Sequence, residues 1–389
     1  MNYKVVILGS TGSIGVTTLN SLYKKKAYKI ILLTAKKNIK KLYSQAVKFN
    51  VKDVIIEDKK SYNTFKRKFR DKNIRLHFSL KNINKILKKR VSYCINSISG
   101  IDGLYPTLKM IPLTQNILIA NKESIICGWN FIERKLKFYK TNFIPLDSEH
   151  FSIWQLIKND PHSQIEKVIL TASGGPFLKK SNKNISNIKP KFALKHPNWK
   201  MGKKISIDSS TMMNKILEFI EAKKIFNLKN KDISILIHPQ SFIHAIVFFK
   251  GKLIKLLAHE TKMSIPISNA LDIKQKYNKN EIEKNFKYFN NLKFATPDKK
   301  KFPLLSVLNL IPDRSSYFET ILITLNDMLV NKYLSGDINY QSIHKNLLNL
   351  IKKSYFKKYY KLKPNNIYDI KRMIDISKKY LKKNIKYYD

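Results

Sequence analysis

The clearest chemistry in the sequence lies in two acidic segments. Leu146-Asp147-Ser148-Glu149-His150 follows the apolar Phe143-Ile144-Pro145. In an extended segment residues i and i+2 project to the same side, so Asp147 and Glu149 can share a ligand. Adjacent carboxylates repel one another and lose hydration on burial, and a divalent cation resolves both costs. Farther on, Asp208-Ser209-Ser210-Thr211 reads as a helix start rich in capping groups. Along that helix Asn214 and Glu218 stand four apart and Lys215 and Glu218 three apart, which places them on one face. Carboxylates without a need for thiolates suit a hard cation such as Mg²⁺ or Mn²⁺. Spacing alone leaves a surface acidic pair and a solvated helical Glu equally open.

Gly9-Ser10-Thr11-Gly12-Ser13-Ile14-Gly15 directly follows a strand-like run and opens a helix predicted over 16–24. Glycines there permit close backbone approach, and the first helical N–H groups face a pyrophosphate. An ordinary Gly-rich turn has the same look. An NAD-selective site places Asp or Glu near the end of the second strand. This chain has Lys36-Lys37-Asn38 there, which suits the 2′-phosphate of NADP.

Thr171-Ala172-Ser173-Gly174-Gly175-Pro176-Phe177 sets a hydroxyl and backbone amides after a strand, as a phosphate or oxyanion site needs, although a structural turn reads alike. His196-Pro197-Asn198-Trp199-Lys200-Met201-Gly202-Lys203-Lys204 puts a large aromatic in a polar loop, either a folded-down anchor or a lid. The apolar setting of His238 and His244 in Ile237–His244 favours packing or subunit contact over catalysis.

The elements that must position these groups divide the chain. With 389 residues, 43% of them apolar, it exceeds what one core usually serves. Up to about residue 145, strand-like runs at 4–8, 29–34, 53–57, 92–98 and 116–120 alternate with helix-length segments, predicting a parallel, doubly wound sheet. From 145 to 273 a second α/β unit is expected, then a Lys/Asn-rich linker, then a helical C-terminal domain from Phe302. No run is long and apolar enough to span a membrane. Two cysteines, Cys94 and Cys127, exclude a disulfide framework, and no signal or transit segment is evident, so a cytoplasmic protein is expected. The net charge of +48 is nearly all Lys spread along the chain. Nucleic-acid readers concentrate Arg, Lys and aromatics on one face, so no nucleic-acid partner and no membrane partner are expected, while a positive field attracts phosphorylated ligands.

Together, GSTGSIG at 9–15, ANKES at 120–124, LDSEH at 146–150, TASGGPF at 171–177, HPNWKMGKKISIDSSTMMNK at 196–215, LEFIEA at 217–222 and IHPQSFIH at 237–244 closely resemble the 1-deoxy-D-xylulose 5-phosphate reductoisomerase family. The resemblance implies an α/β protein acting as a homodimer. It implies an N-terminal Rossmann-like NADPH-binding domain (1–147), a central α/β catalytic and dimerisation domain (148–273), a linker (274–299) and a C-terminal helical domain (300–389). It implies a metal (Mg²⁺, Mn²⁺ or Co²⁺) on Asp147, Glu149 and Glu218. The substrate, a small phosphorylated sugar, would have its phosphate on Ser173, Ser209, Asn214 and Lys215, and its sugar portion near Lys122, Ser148, Glu149 and His196. Trp199 and Met201 would lie on a mobile loop. NADPH would meet Thr11, Gly12, Ser13, Ile14, Lys37, Asn38, Asn121, Glu123 and Gly202. The implied reaction rearranges and reduces 1-deoxy-D-xylulose 5-phosphate to 2-C-methyl-D-erythritol 4-phosphate in non-mevalonate isoprenoid biosynthesis. The alternative is a generic NADP-dependent dehydrogenase without the isomerase step. Two departures stand out: Lys36 replaces the family's usual Gly, and Ile323-Thr324-Leu325-Asn326-Asp327 replaces an AANE-like segment.

Overall fold

The computed structural model describes residues 2–160, 164–180, 185, 187–199, 201–277 and 279–385. The chain forms two compact units, Met1–Phe151 with Met263–Gln275, and Ser152–Lys262 with Lys276–Asp389.

The first unit is built on seven strands, β1 (Tyr3–Leu8), β2 (Tyr28–Ala35), β3 (Asp53–Ile56), β4 (Arg75–Phe78), β5 (Val91–Asn96), β6 (Thr114–Ile119) and β7 (Asn142–Pro145). They form a single sheet in the order β4-β3-β2-β1-β5-β6-β7, and every pairing is parallel. Val5, Val6, Ile7 and Leu8 are fully buried, as a parallel sheet covered on both faces requires. The strand order reverses between β1 and β5, and ligands of such sheets bind outside the carboxyl ends at that point. Helices α1 (Ser13–Leu22), α2 (Ile39–Lys48) and α3 (Lys59–Lys68) provide the first crossovers. Helix α1 thus starts at Ser13, three residues earlier than the pattern suggested. The edge strand β4, absent from that pattern, is tied to β3 through Asp53, which accepts two bonds from Arg75 (2.9 and 2.6 Å) and contacts His77 at 2.8 Å.

Residues 263–273, assigned by the sequence pattern to the central domain, pack instead with this unit. The Ser264–Ala270 helix lies against α1, and the Tyr28 hydroxyl donates to the Leu271 carbonyl.

The second unit holds a mixed four-stranded sheet, β8 (Ile165–Ala172), β9 (Ile233–Ile237), β10 (Ile243–Phe249) and β11 (Ile254–Ala258), in the order β11-β10-β8-β9. β8 pairs parallel with β9 and antiparallel with β10. The Met213–Ile225 helix packs on β8, and helices Phe318–Ser335, Tyr340–Ile351 and Ile367–Asn384 form the helical C-terminal region. These helices belong to the same compact unit as the sheet. The predicted linker includes its own helix, Lys279–Phe289. Among the described residues no helix is long and apolar enough to cross a membrane.

Local sterics at the first turn are strict. A Cβ on Gly15 would lie 2.6 Å from Ser10 Cα and 2.7 Å from the Gly9 carbonyl oxygen, whereas one on Gly12 would meet nothing closer than 3.4 Å. Gly15→Ala is therefore expected to cost about 2 kcal/mol despite its better helix propensity, and Gly12→Ala less than about 1 kcal/mol. Urea unfolding of both variants measures the contrast, and equal losses would mean that the turn relaxes freely.

Candidate functional site

The Gly-rich turn is stitched to both neighbouring strands. On the β2 side Gly9 N donates to Thr34 Oγ1 and Ser10 N to Thr34 O, each at 2.9 Å. On the β5 side Ser97 Oγ donates to Leu8 O at 2.6 Å. Gln45 and Ser10 exchange two further bonds from α2 (2.8 and 3.0 Å). Gly9 sits at φ +72°, and Gly12 precedes α1 without any side-chain cap. Thr11, Gly12, Ser13 and Ile14 therefore form an uncapped helix start, which fits an anionic pyrophosphate. Lys37 and Asn38 lie exposed after β2, and Asn38 also caps α2 by accepting from Lys41 N at 3.2 Å.

Asn121 is buried and fully used. Its amide donates to the Ile98 and Gly100 carbonyls, the latter at 2.6 Å, while its Oδ1 accepts from Ser124 N at 2.6 Å and caps the Lys122–Tyr139 helix. That cap places Lys122 and Glu123 in the first turn at the carboxyl edge of the sheet. Lys122 pairs directly with Asp147, whose other oxygen lies 3.1 Å from His150 Nδ1. Burial alone would raise the Asp147 carboxyl, but the Lys122 charge and the His150 hydrogen bond outweigh it and hold the group well below the usual carboxylate range.

The route by which Asp147 and Glu149 approach differs from the extended pleat assumed from sequence. β7 ends at Pro145, and Ser148–Leu156 is helical, so the acids flank a helix start. Glu149 N donates to Asp147 Oδ1 at 3.3 Å, and Ser148 Oγ donates to Glu149 Oε2 at 2.5 Å. His150 was not singled out. Its position three residues after Asp147 becomes a signal only once the segment is known to be helical.

In the second unit, Asp208–Thr211 is likewise not a helix start. Lys203–Ser210 is a complete helix, and the next begins at Met213. The break falls at Met212, a buried residue held in the left-handed region (φ +63°). Strain of this kind in a non-glycine residue persists only when its surroundings enforce it. The second helix carries Asn214, Lys215 and Glu218. Glu218 is 1% exposed; one oxygen accepts from Asn214 Nδ2 at 2.6 Å and the other pairs with Lys215.

The turn that carries Ser173 and the helix that carries Ser209 meet at a glycine. Gly174 and Gly175 both have positive φ, and a Cβ on Gly175 would lie 2.9 Å from the Ser209 carbonyl oxygen. The Thr171–Phe177 turn thus rests on the end of the Ser209 helix. That helix is anchored from the C-terminal region. Asn326 donates to Asp208 at 2.8 Å, and Lys204 reaches Asp327 at 2.8 Å. Both partners come from the Ile323–Asp327 segment, to which the sequence pattern assigned no role.

His196 organises the loop. Its Nδ1 accepts from the backbone N–H groups of Asn198 (3.1 Å) and Trp199 (2.9 Å). The ring proton therefore sits on Nε2, which donates to Ser173 Oγ at 2.9 Å. Asn198 clips the loop to Pro239 O and Ser241 Oγ at 2.7 and 2.9 Å. Trp199 is half-buried, its ring 6.0 Å from that of His244. Met201 is also half-buried and Gly202 is exposed just before the Ser209 helix; Lys200 lies outside the described residues. His238 stacks on Phe294 and His244 on His259, so both are packing residues, as expected.

With this geometry in place, comparison defines the family. Family models described as 1-deoxy-D-xylulose 5-phosphate reductoisomerase match residues 5–128 and, for its C-terminal domain, 143–226; a DXP reductoisomerase C-terminal domain model matches 259–380. The 1-deoxy-D-xylulose 5-phosphate reductoisomerase of Pelagibacter ubique (strain HTCC1062) is 46% identical over 96% of this chain and 97% of its own. That of Wolbachia pipientis wMel is 40% identical over 87% of this chain and 88% of its own. The solved Zymomonas mobilis enzyme in complex with NADPH superposes with a TM-score of 0.87 at 28% identity, covering 99% of this chain and 100% of that one. A DOX-P reductoisomerase in complex with NADPH, fosmidomycin and magnesium gives 0.88 at 29%, with the same coverages. The chain belongs to the 1-deoxy-D-xylulose 5-phosphate reductoisomerase family, and it is an oxidoreductase.

Burial holds His196 neutral, its pKa lowered from 6.5 to about 4. An unfolded His takes up its proton near 6.5, so the unfolded chain binds more protons between pH 6.5 and 4. The His196 contribution to stability is complete above that window and lost as pH falls through it. Urea midpoints are expected to drop from pH 7 to 5, and His196→Asn to flatten part of the drop. The remainder belongs to groups such as His344, which is depressed by burial in the same way. An unchanged slope in the variant would show His196 to be protonated freely in the fold.

Proposed function

We propose that this chain catalyses the NADPH- and divalent-metal-dependent rearrangement and reduction of 1-deoxy-D-xylulose 5-phosphate to 2-C-methyl-D-erythritol 4-phosphate. The carrying observation is family membership at 46% identity over nearly the whole chain, together with retention of the acidic and serine motifs. A dehydrogenase without the isomerase step leaves the Asp147–Glu149 and Glu218 motifs unexplained.

In this reading 1–147, with 263–273 packed onto it, binds NADPH, 148–262 carries catalysis and dimerisation, 274–299 links, and 300–389 closes the chain with helices. Asp147, Glu149 and Glu218 hold the cation. The donor set fits one: these are oxygen ligands, with Asp147 kept ionised by Lys122 and His150, and Glu218 buried beside Lys215. When bound, the cation supplies Lewis acidity toward the substrate ketone and NADPH supplies a hydride. Mg²⁺, Mn²⁺ and Co²⁺ all suit such a set; the magnesium of the related solved structure supports the first.

The residues of the chain bind and orient. Ser173, Ser209, Asn214 and Lys215 grip the substrate phosphate, and the Gly174–Gly175 turn sets the distance between the two serines. Lys122, Ser148, Glu149 and His196 face the sugar. His196 acts as a neutral donor through Nε2, since the single Nδ1 lone pair accepts from two loop N–H groups. Trp199 and Met201 exclude water from the reacting carbons. Phosphate binding, remote from those carbons, supplies energy for orientation. Thr11, Gly12, Ser13, Ile14, Lys37, Asn38, Asn121, Glu123 and Gly202 line the cofactor's path, Asn121 by shaping the loop carbonyls at Ile98 and Gly100.

The chain works as a homodimer in the cytoplasm. Support for the dimer comes from Leu253, Ile254 and Leu256, which are about half exposed on and beside the edge strand β11. Support for the compartment comes from the sparse cysteines.

The test is NADPH oxidation with the phosphorylated ketose, with and without divalent cation. Turnover is expected only with the cation, and Glu218→Gln is expected to lower kcat by on the order of 10²–10³-fold, the scale of losing one electrostatic stabiliser. Turnover that survives EDTA, or near-normal activity of the variant at saturating Mg²⁺, would refute the ligand assignment.

A further inference from the structure

Lys36 follows β2 directly, and its ammonium donates to Asp102 Oδ2 at 2.8 Å. Asp102 lies in the short helical turn Ile101–Gly103 beyond β5. β1 runs between β2 and β5, and the strands are parallel. The pair therefore reaches over the carboxyl end of β1, where the Gly9–Gly15 turn is stitched to Thr34 on one side and Ser97 on the other. This is the crevice at which dinucleotides bind such sheets.

Both side chains are about two-thirds exposed (66% and 65%), so the pair is weak and readily exchanged. The other acids near Lys36 are already engaged. Glu57 accepts from Leu80 N at 2.7 Å, and Asp58 accepts from Ser61 N and Oγ at 2.8 and 2.7 Å.

We propose that Lys36 and Asp102 form an exchangeable latch across the cofactor crevice, in which Lys36 leaves Asp102 for the 2′-phosphate of NADPH and so adds to cofactor specificity. The inference rests on the dinucleotide reading given above. A phosphate dianion offers Lys36 more charge than one carboxylate, and Asp102, left facing that phosphate, repels it. Asp102 thus lowers NADPH affinity, while Lys36 raises it.

Dissociation constants for NADPH and NADH, measured by calorimetry on the full chain at fixed salt, test this without turnover. Lys36→Ala is expected to weaken NADPH about tenfold and NADH less than about twofold, with Lys36→Arg restoring most of the loss. Asp102→Asn is expected to tighten NADPH by up to about fivefold, the scale of one exposed ion pair. In the double variant the gain from Asp102→Asn should shrink, because no ammonium remains to be released. Equal losses for the two cofactors in Lys36→Ala, weaker NADPH binding by Asp102→Asn, or a full gain in the double variant would each overturn the latch. If the unaltered chain bound neither cofactor, the dinucleotide reading itself would fail.

Discussion

A buried carboxylate is stable as an anion only if a cation or several donors stand beside it, because desolvation costs several kcal/mol per ion. Each compact unit meets this constraint in the same way. Lys122 sits against Asp147 in the first, and Lys215 against Glu218 in the second. Each carboxylate has a second polar partner as well, His150 and Asn214. The surrounding elements exist to hold these pairs: the Asn121 cap that starts the Lys122 helix, the turn after β7, and the left-handed Met212 that separates the Ser209 helix from the Glu218 helix. The lysines offset the desolvation that would otherwise favour the protonated acids.

Lysine also dominates the surface, and the two populations must be told apart. A net charge of +48 creates a positive field that draws phosphorylated molecules from any direction. A few lysines with fixed partners form a separate population. Lys204 bridges to Asp327, Lys224 pairs with Glu319, and Lys215 with Glu218. These side chains are buried or half-buried, so salt screens them less than the exposed majority.

The strands of the first unit were legible because continuous apolar runs such as Val5–Leu8 and Ile30–Leu33 have few other uses. β4 was not: Arg75-Leu76-His77-Phe78 carries two charged or polar residues, and its place is set by Asp53 on the neighbouring strand. Helix boundaries around the acids were misread for one reason. Leu146–His150 and Asp208–Thr211 contain residues that serve equally as caps, strand ends or last-turn groups, and only packing decides. Met212 carries no local signal, since a methionine in the left-handed region is stabilised by its neighbours. The roles of Asn326 and Asp327 were hidden because their partners lie more than a hundred positions earlier. Motif resemblance named candidates for phosphate and sugar contact, and helical spacing already put Asn214 and Lys215 on the face of Glu218; the contacts of Asp147 with Lys122 and His150 emerged only from the fold.

The first unit is discontinuous, and that shapes its biogenesis. Its last piece, Met263–Gln275, follows the whole of the sheet-forming segment Ser152–Lys262 in the chain. During synthesis, at ~5–20 residues per second, the nucleotide-type sheet emerges on the order of ten seconds before the helix that covers α1 and the carbonyl that accepts from Tyr28. Until then the nascent N-terminal portion keeps an uncovered apolar flank, open to chaperones and to premature association. Folding of the two units is consequently interleaved on the ribosome: the earlier one is finished by residues that arrive after the sheet of the later one.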